Sequence, residues 1–593
     1  LFTVACSSKA QPPPPAPPTP VTTAPDAAAG SAAAPDSSKA AHRHEAKLRT
    51  DATKTTVDPA MIATGTTFMV VSESATATKV GHDVLASGGN AVDAAVATAF
   101  ALEVAHPTAG NIGGGGFAVV HVAPGKDLAL DFREMAPAAA TPDMYLDPSG
   151  KPTLQSLIGH RASGVPGSVA GLYELHHKLG KKPWKDVVAP AIALARDGFV
   201  VDDDLHESIA RSKGLPEFPA SAALWLPNGK PRQAGETVKI PELATTLQRI
   251  ADQGAAGFYT GPTADAIVAE MKAGHGLITA DDLKAYKAVW RDPLKLGYRG
   301  YTLVTMPPPS SGGIVIEMIA NMLRNTDVGK LAWHGPEHVH LLVEVWRRAF
   351  AARNELLGDP AFVKAMPIQR LLSQEYADKL AKTIDPNKAT PSADIAPLLE
   401  GNHTTNLSVV DGSGMAVALT TTLNTSFGSG VTVTGAGFLL NNEMDDFTVK
   451  PGSPNVFGLV QGTANKIEPG KRMLSSMSPT IALDDKNAVY MLAGAGGGPR
   501  IITAVWQTIS NVIDFRMDIG EAVASPRVHH QHLPDVMRVE GEAIDRATDD
   551  ALDKMGYKRD WDQYFGSITA ILRGPPGWHG SADARNGGKA MGD

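Results

Sequence analysis

Cys6 is the only cysteine in a chain of 593 residues. One thiol excludes an internal disulfide framework and any cysteine-based metal site. No apolar run reaches the roughly 20 residues that a membrane-spanning helix needs. There is no dense Lys/Arg run and the net charge is −8, so nucleic acid is not expected as a partner. The chain also lacks a G-x-S-x-G elbow and a Gly-Lys-Ser/Thr phosphate loop, and His206-Glu207 has no second histidine to make a zinc-protease helix. His529, His530 and His532 look metal-like, but neighbouring side chains on an extended segment point opposite ways, and no carboxylate or cysteine completes a set. No metal and no cofactor are expected. What remains is 43% hydrophobic and 20% charged, the balance of a large globular protein.

Residues 1–6 read as the remnant of a signal sequence, either of a lipoprotein, with Cys6 as the lipid anchor, or of a plain cleaved signal peptide. Residues 7–60 are rich in Pro, Ala and Ser and offer little to bury, which predicts a disordered tether. The globular part opens with a strand at 68–72 and helices over 75–86 and 90–104. The second helix is apolar nearly all round and so should be buried. Gly113 to Gly116 lead into a strand, and without a phosphate-loop lysine their expected role is close backbone packing. Arg133 ends a strand amid apolar residues, where a guanidinium needs an anionic partner or a way out to solvent. Residues 160–330 and the strong helix over 338–357 read as scaffold. A further buried helix is predicted from Arg500 to Ile513, behind the glycine turn Gly494 to Gly498.

The chemistry concentrates between residues 400 and 428. Two β-type runs, 404–410 and 415–422, flank Asp411-Gly412-Ser413-Gly414, a hairpin signal. A two-residue loop at Gly412 and Ser413 sets Thr404 opposite Thr421. A three-residue loop with Gly414 left-handed sets it opposite Thr422. A threonine hydroxyl is a poor nucleophile without a neighbouring base. One solution is a threonine whose own α-amine has been freed by cutting the chain before it. That amine has a pKa of about 7.7–8.0, so part of it is an unprotonated base near neutral pH. The Pro/Ser/Gly-containing stretch from Pro391 to Asn402 is suited to be the cuttable segment.

The His403-Thr404-Thr405 junction with Ser408, the Thr420/Thr422-Leu423-Asn424 run, Phe427-Gly428, the Leu439 to Phe447 stretch and the Lys471 to Thr480 stretch together resemble the γ-glutamyltransferase (glutathione hydrolase) family. The likeness covers about residues 60–593. It implies an α/β (α+β) fold, the N-terminal nucleophile hydrolase four-layer αββα sandwich. It also implies autocatalytic cleavage between His403 and Thr404, giving a heterodimer of a large subunit (61–403) and a small one (404–593). By the same likeness Thr404 is the nucleophile, Thr422 orients it, and the Gly496 and Gly497 N–H groups hold the oxyanion. Arg133, Ser475 and Ser476 would take the substrate α-carboxylate, and Asn424, Glu443 and Asp446 its α-ammonium. The implied partners are glutathione and other γ-glutamyl compounds, with water, amino acids or dipeptides as acceptors. The Pro/Gly-rich loop from Lys450 to Leu459 resembles a lid. Position 406 departs from the family pattern, with asparagine where histidine is usual, and the mechanism needs no imidazole there. Two other readings stand beside this one: a cephalosporin (glutaryl) acylase of the same fold, and a non-catalytic surface binding protein. The expected location is periplasmic or extracellular.

Overall fold

The computed structural model describes residues 55–122, 125–392, 404–562 and 564–593. Cys6, most of the expected tether and His403 with its cleavable bond therefore lie outside the described residues. The tether was expected to run to residue 60, yet Thr55 Oγ1 lies 3.3 Å from Ser525 Oγ and Asp58 caps the turn Pro59–Met61.

Two antiparallel seven-stranded sheets make the centre. The first runs, in spatial order, Ile62–Gly65, Gly577–Ala582, Ser567–Gly574, Val489–Gly496, Thr480–Leu483, Tyr301–Thr305 and Leu294–Tyr298. The second runs Lys589–Gly592, Met69–Ser72, Thr405–Val410, Ala416–Thr422, Gly115–Val122, Lys126–Phe132 and Val289–Arg291. Each sheet draws strands from both sides of Thr404, so a cut there would leave two pieces held by shared sheet hydrogen bonds.

The layering follows from the period-two alternation of strands. In the second sheet, Val70, Leu407, Val409, Val417 and Leu419 pack with the helices Ala75–Ala86 and Ala91–Ala105. The alternate residues Met69, Val71, Val119, Val410, Ala416 and Ala418 pack with the first sheet. Helices Gly312–Leu323, Pro336–Leu356 and Arg500–Ile513 belong to that same core; the first and last cover the first sheet from outside, and Pro336–Leu356 packs on Gly312–Leu323. Helix, sheet, sheet, helix is the expected α+β sandwich. The helix Ala91–Ala105 is buried at every position and starts from an Asn90–Asp93 capping box, which meets two N–H groups that burial would otherwise leave unpaired. No helix among the described residues is long and apolar enough to cross a membrane.

Candidate active site

The hairpin settles its own register. Thr405 pairs with Thr421 and Val410 with Ala416, and Gly414 is left-handed at φ +84°. The loop is the three-residue one, held by Asp411, whose carboxylate accepts from the Ser413 N–H at 2.8 Å. The same register carried one step further sets Thr404 against Thr422, and their Oγ1 atoms are 3.2 Å apart. Thr422 Oγ1 also accepts the Asn424 N–H at 2.8 Å, so the loop carrying Asn424 is tied to the hydroxyl beside Thr404. Asn111 donates to Thr421 Oγ1 and to the Thr422 carbonyl, both at 2.9 Å, fixing the end of that strand from below.

At Gly496 the first sheet comes into direct backbone contact with the head of this strand. A Cβ on Gly496 would lie 1.7 Å from the Thr404 carbonyl oxygen, and one on Gly494 would lie 2.1 Å from Asn406 Oδ1. Gly496 must be glycine for the sheets to approach this closely at Thr404, while Gly494 leaves room for the Asn406 amide. The glycines 113–116 serve a like purpose: a Cβ on Gly114 would meet the Thr422 carbonyl at 2.1 Å and one on Gly116 the Thr420 carbonyl at 2.2 Å. Asn406, at the departure from the family pattern, lies between the layers, its amide 2.7 Å from Thr420 Oγ1 and 2.6 Å from Thr569 Oγ1.

Around Thr404 the structure gathers Arg133, Thr422, Asn424, Glu443, Asp446, Ser475 and Ser476 about one small cavity. Phe457 and Leu459 of the lid-like loop form part of its wall. Gly498, Pro499 and Ile501 form a further part of its wall. Gly496 and Gly497 lie just before them, at the end of the strand over Thr404. Pro499 and Ile501 place the N-terminus of the helix Arg500–Ile513 at this wall, where the helix dipole favours negative charge.

Arg133 is fully buried and donates to Glu443 through Nη1 and to Asp446 through Nη2. A guanidinium there needs an anionic partner or a way out to solvent, and Arg133 has Glu443 and Asp446 as hydrogen-bonded partners with Glu134 close by. Burial works against its charge, but Glu443 and Asp446 outweigh burial and hold the guanidinium protonated. Burial in turn pushes the Glu443 and Asp446 carboxyls up, against the pull of Arg133. Glu134, 3.5 Å from Arg133 Nη1, is pushed up to about 7 by burial. The residues expected at the two ends of a zwitterionic substrate thus meet each other directly. A ligand carrying both charges would enter by replacing that pairing.

Several residues at the site were not anticipated. Met477, Pro499 and Ile501 line it, and Arg353 backs it through Ser476. Arg353 comes from the helix Pro336–Leu356, whose sequence reads as scaffold, and one arginine among several on a buried helix gives no local signal. Among the described residues, no group of three or more His, Cys, Asp or Glu could hold a metal ion. His529 Nδ1 is instead 2.7 Å from Thr503 Oγ1, and its Nε2 is 2.9 Å from Gln531 Oε1.

Two facing antiparallel sheets between helix layers, with a threonine hydroxyl at the head of a central strand, define an N-terminal nucleophile hydrolase. The chain belongs to the gamma-glutamyltranspeptidase family, whose model matches residues 77–593. It is similar to the glutathione hydrolase proenzyme of Escherichia coli (strain K12), 48% identical over 526 residues that cover 87% of this chain and 90% of that one. Among solved structures it resembles the gamma-glutamyltranspeptidase of Helicobacter pylori, with TM-score 0.53 and 41% identity over 55% of this chain and 95% of that one. It also resembles the cephalosporin acylase of Bacillus halodurans, with TM-score 0.78 and 27% identity over 90% of this chain and 97% of that one.

Proposed function

We propose that this enzyme hydrolyses and transfers the γ-glutamyl group of glutathione and related compounds, through an ester on Thr404. In the precursor, Thr404 Oγ attacks the His403 carbonyl carbon, and the acyl group shifts from nitrogen to oxygen. Water then opens the ester, leaving a His403 carboxylate and a free Thr404 amine. In the mature enzyme the same oxygen attacks the γ-amide carbon. The Thr404 amine takes the hydroxyl proton and passes it to the leaving amine, which is cysteinylglycine when glutathione is the donor. Water, an amino acid or a dipeptide next attacks the acyl carbon and releases Thr404.

The residue roles are those the pocket chemistry supports. Thr422, 3.2 Å from the nucleophile, orients its hydroxyl. The N–H groups of Gly496 and Gly497 hold the oxyanion, a donor type whose loss typically costs ~10²–10³ in rate. Arg133, Ser475 and Ser476 receive the α-carboxylate, while Asn424, Glu443 and Asp446 receive the α-ammonium. The observation that carries this reading is the cavity itself, lined both by the Thr404 hydroxyl and by a buried guanidinium with two carboxylates.

The overall likeness to a cephalosporin acylase favours a second reading, in which the acyl group is glutaryl. A glutaryl group has no ammonium, so it would leave Glu443 and Asp446 without the cation their position suits. Rates on L-γ-glutamyl anilide and on glutaryl anilide separate the two. The γ-glutamyl reading expects the first to exceed the second by at least about 10²-fold, the worth of a desolvated charge contact. Equal rates, or a glutaryl preference, would establish the acylase. The processed pieces, 61–403 and 404–593, then form the heterodimer. The body stands outside the inner membrane on the tether, periplasmic or extracellular, anchored at Cys6 if that residue carries lipid.

A further inference from the structure

Four of the largest fully buried side chains are arginines: Arg133, Arg347, Arg353 and Arg527. Arg133 meets Glu443 and Asp446, Arg347 meets Asp535 at 2.7 Å, and Arg527 meets Asp583 at 2.6 Å. Arg353 is the exception. It is 1% exposed, and every acceptor it reaches is neutral: Ser311 Oγ at 3.1 Å, Asn354 Oδ1 at 3.1 Å, Gln461 Oε1 at 2.9 Å and Ser476 Oγ at 3.3 Å. No carboxylate pairs with it among the described residues. A buried charge without a counter-ion is a standing cost that proteins rarely carry without a use.

We propose that Arg353 is a positioning and specificity residue for the substrate α-carboxylate, supplying the unpaired positive charge behind Ser476 and turning that hydroxyl toward the carboxylate. The inference rests on the γ-glutamyl reading of the pocket.

The argument has two parts. A serine hydroxyl has one hydrogen and two lone pairs. Nη2 of Arg353 occupies a lone pair of Ser476, which leaves the hydrogen free to donate into the cavity and polarises it for a stronger bond to an anion. Charge balance gives the second part. The positive charge of Arg133 is already met by two carboxylates, so an arriving carboxylate needs positive charge from elsewhere. Arg353 has it to offer, and burial with the nearby Arg133 pushes its pKa down to about 10, against the pull of Asp446. The group thus remains charged at neutral pH with no carboxylate in direct contact, and only the longer-range pull of Asp446 offsets its burial.

The alternative is a strut, in which Arg353 merely ties together the segments carrying Ser311, Gln461 and Ser476. The test compares wild type, Arg353→Lys, Arg353→Met and Ser476→Ala on L-γ-glutamyl anilide and on the same compound with its α-carboxylate converted to carboxamide. In Arg353→Met, KM for the carboxylate substrate should rise about 10- to 100-fold, the usual worth of a hydrogen bond to a charged group. Its kcat should change less than about threefold on the same grounds, because the contact is made equally in ground and transition states. The carboxamide should be unaffected, and Arg353→Lys should recover part of the lost KM. Combining Arg353→Met with Ser476→Ala should cost less than the two separate losses together. Equal losses on both substrates, or unchanged KM with a lowered melting temperature, would make Arg353 a strut. If Arg353→Met does not fold, Arg353→Lys decides alone: its KM must rise for the carboxylate substrate only. A wild-type enzyme that treats carboxylate and carboxamide alike would sink the γ-glutamyl reading itself, before any variant is measured.

Discussion

The gap between the two sheets has a dry end and a polar end, and each strand that borders it changes character along its length. Val410 gives way to Ser408, Asn406 and Thr404, while Ala416 and Ala418 give way to Thr420 and Thr422. From the opposite sheet, Leu492 gives way to Gly494 and Gly496, and Ile571 to Thr569 and Ser567. At the dry end the layers are held by packed methyl and methylene groups. At the polar end they are held by a few hydrogen bonds, such as those of Asn406 to Thr420 and Thr569, and by glycines that let backbones touch. Burial is nearly complete at both ends; the difference is chemical. A close-packed dry layer resists displacement, so it can serve as the rigid base from which the polar end presents Thr404. A desolvated polar end strengthens every charge interaction made there.

The largest effect is expected at the head of the strand. Thr404→Ala should abolish both cleavage and turnover, because no other group at the polar end is both nucleophile and, once freed, its own base. A purified Thr404→Ala protein that still divides, or still releases anilide, would break the comparison at its centre. Next comes Asp446→Ala, which leaves a bound ammonium without one of its carboxylates, a loss of roughly 2–5 kcal/mol in kcat/KM for L-γ-glutamyl anilide. Glutaryl anilide should be far less affected; matching losses would take Asp446 out of the recognition site.

The dry end should respond in the other currency, stability. Leu492 is fully buried, and Leu492→Ala should lower unfolding free energy by about 2–5 kcal/mol, read from urea titration. The fraction that stays folded should turn over at close to the wild-type kcat. A kcat collapse without loss of stability would mean that the dry end shapes the site directly.

The smallest effect is a pH slope at Glu73, which lies at the polar end beside Asn406. Burial pushes its carboxyl up to about 8, outweighing the hydrogen bond from Asn586 and the pulls of Ser567 and Thr405, from an unfolded value of 4.5. His106 Nε2, 3.8 Å away, is itself pushed down to about 4 by burial and so brings no charge at neutral pH. A raised carboxyl pKa favours the folded state fully below about pH 4.5, and this contribution is lost as pH rises through about 8. Relative to Glu73→Gln, which cannot lose a proton, wild type should therefore lose stability between pH 5 and 8 by up to about 1.4 kcal/mol per pH unit. A flat difference between the two proteins would show that Glu73 is ionised throughout.

Much of this arrangement was legible in the residues. The hairpin, the buried helix Ala91–Ala105, the helix Arg500–Ile513 and the close packing of Gly113 to Gly116 all follow from local patterns that the fold does not override. The register was narrowed to two choices, because Asp411-Gly412-Ser413-Gly414 can close two kinds of loop; the left-handed Gly414 decided it. The family likeness brought Arg133, Asn424, Glu443, Asp446, Ser475 and Ser476 to one list, and the fold brings them to one cavity. What no local pattern reveals is pairing across long sequence distances. Nothing near Arg133 announces that it meets Glu443 and Asp446, over 300 residues on. Nor does the helix Pro336–Leu356 show which of its arginines lacks a counter-ion. The polar end was likewise hidden, since Thr569 and Ser567 read as ordinary strand residues until the sheets are stacked.

The central claim is that Thr404 becomes a chain terminus and then carries the acyl group. Mass spectrometry of the denatured mature protein tests it, with and without an acid quench during turnover of L-γ-glutamyl anilide. The account predicts a smaller piece of 190 residues beginning at Thr404, and in the quenched sample the same piece heavier by one γ-glutamyl group attached at that residue. A smaller piece that begins elsewhere, or an acyl group found on any other residue, would contradict it.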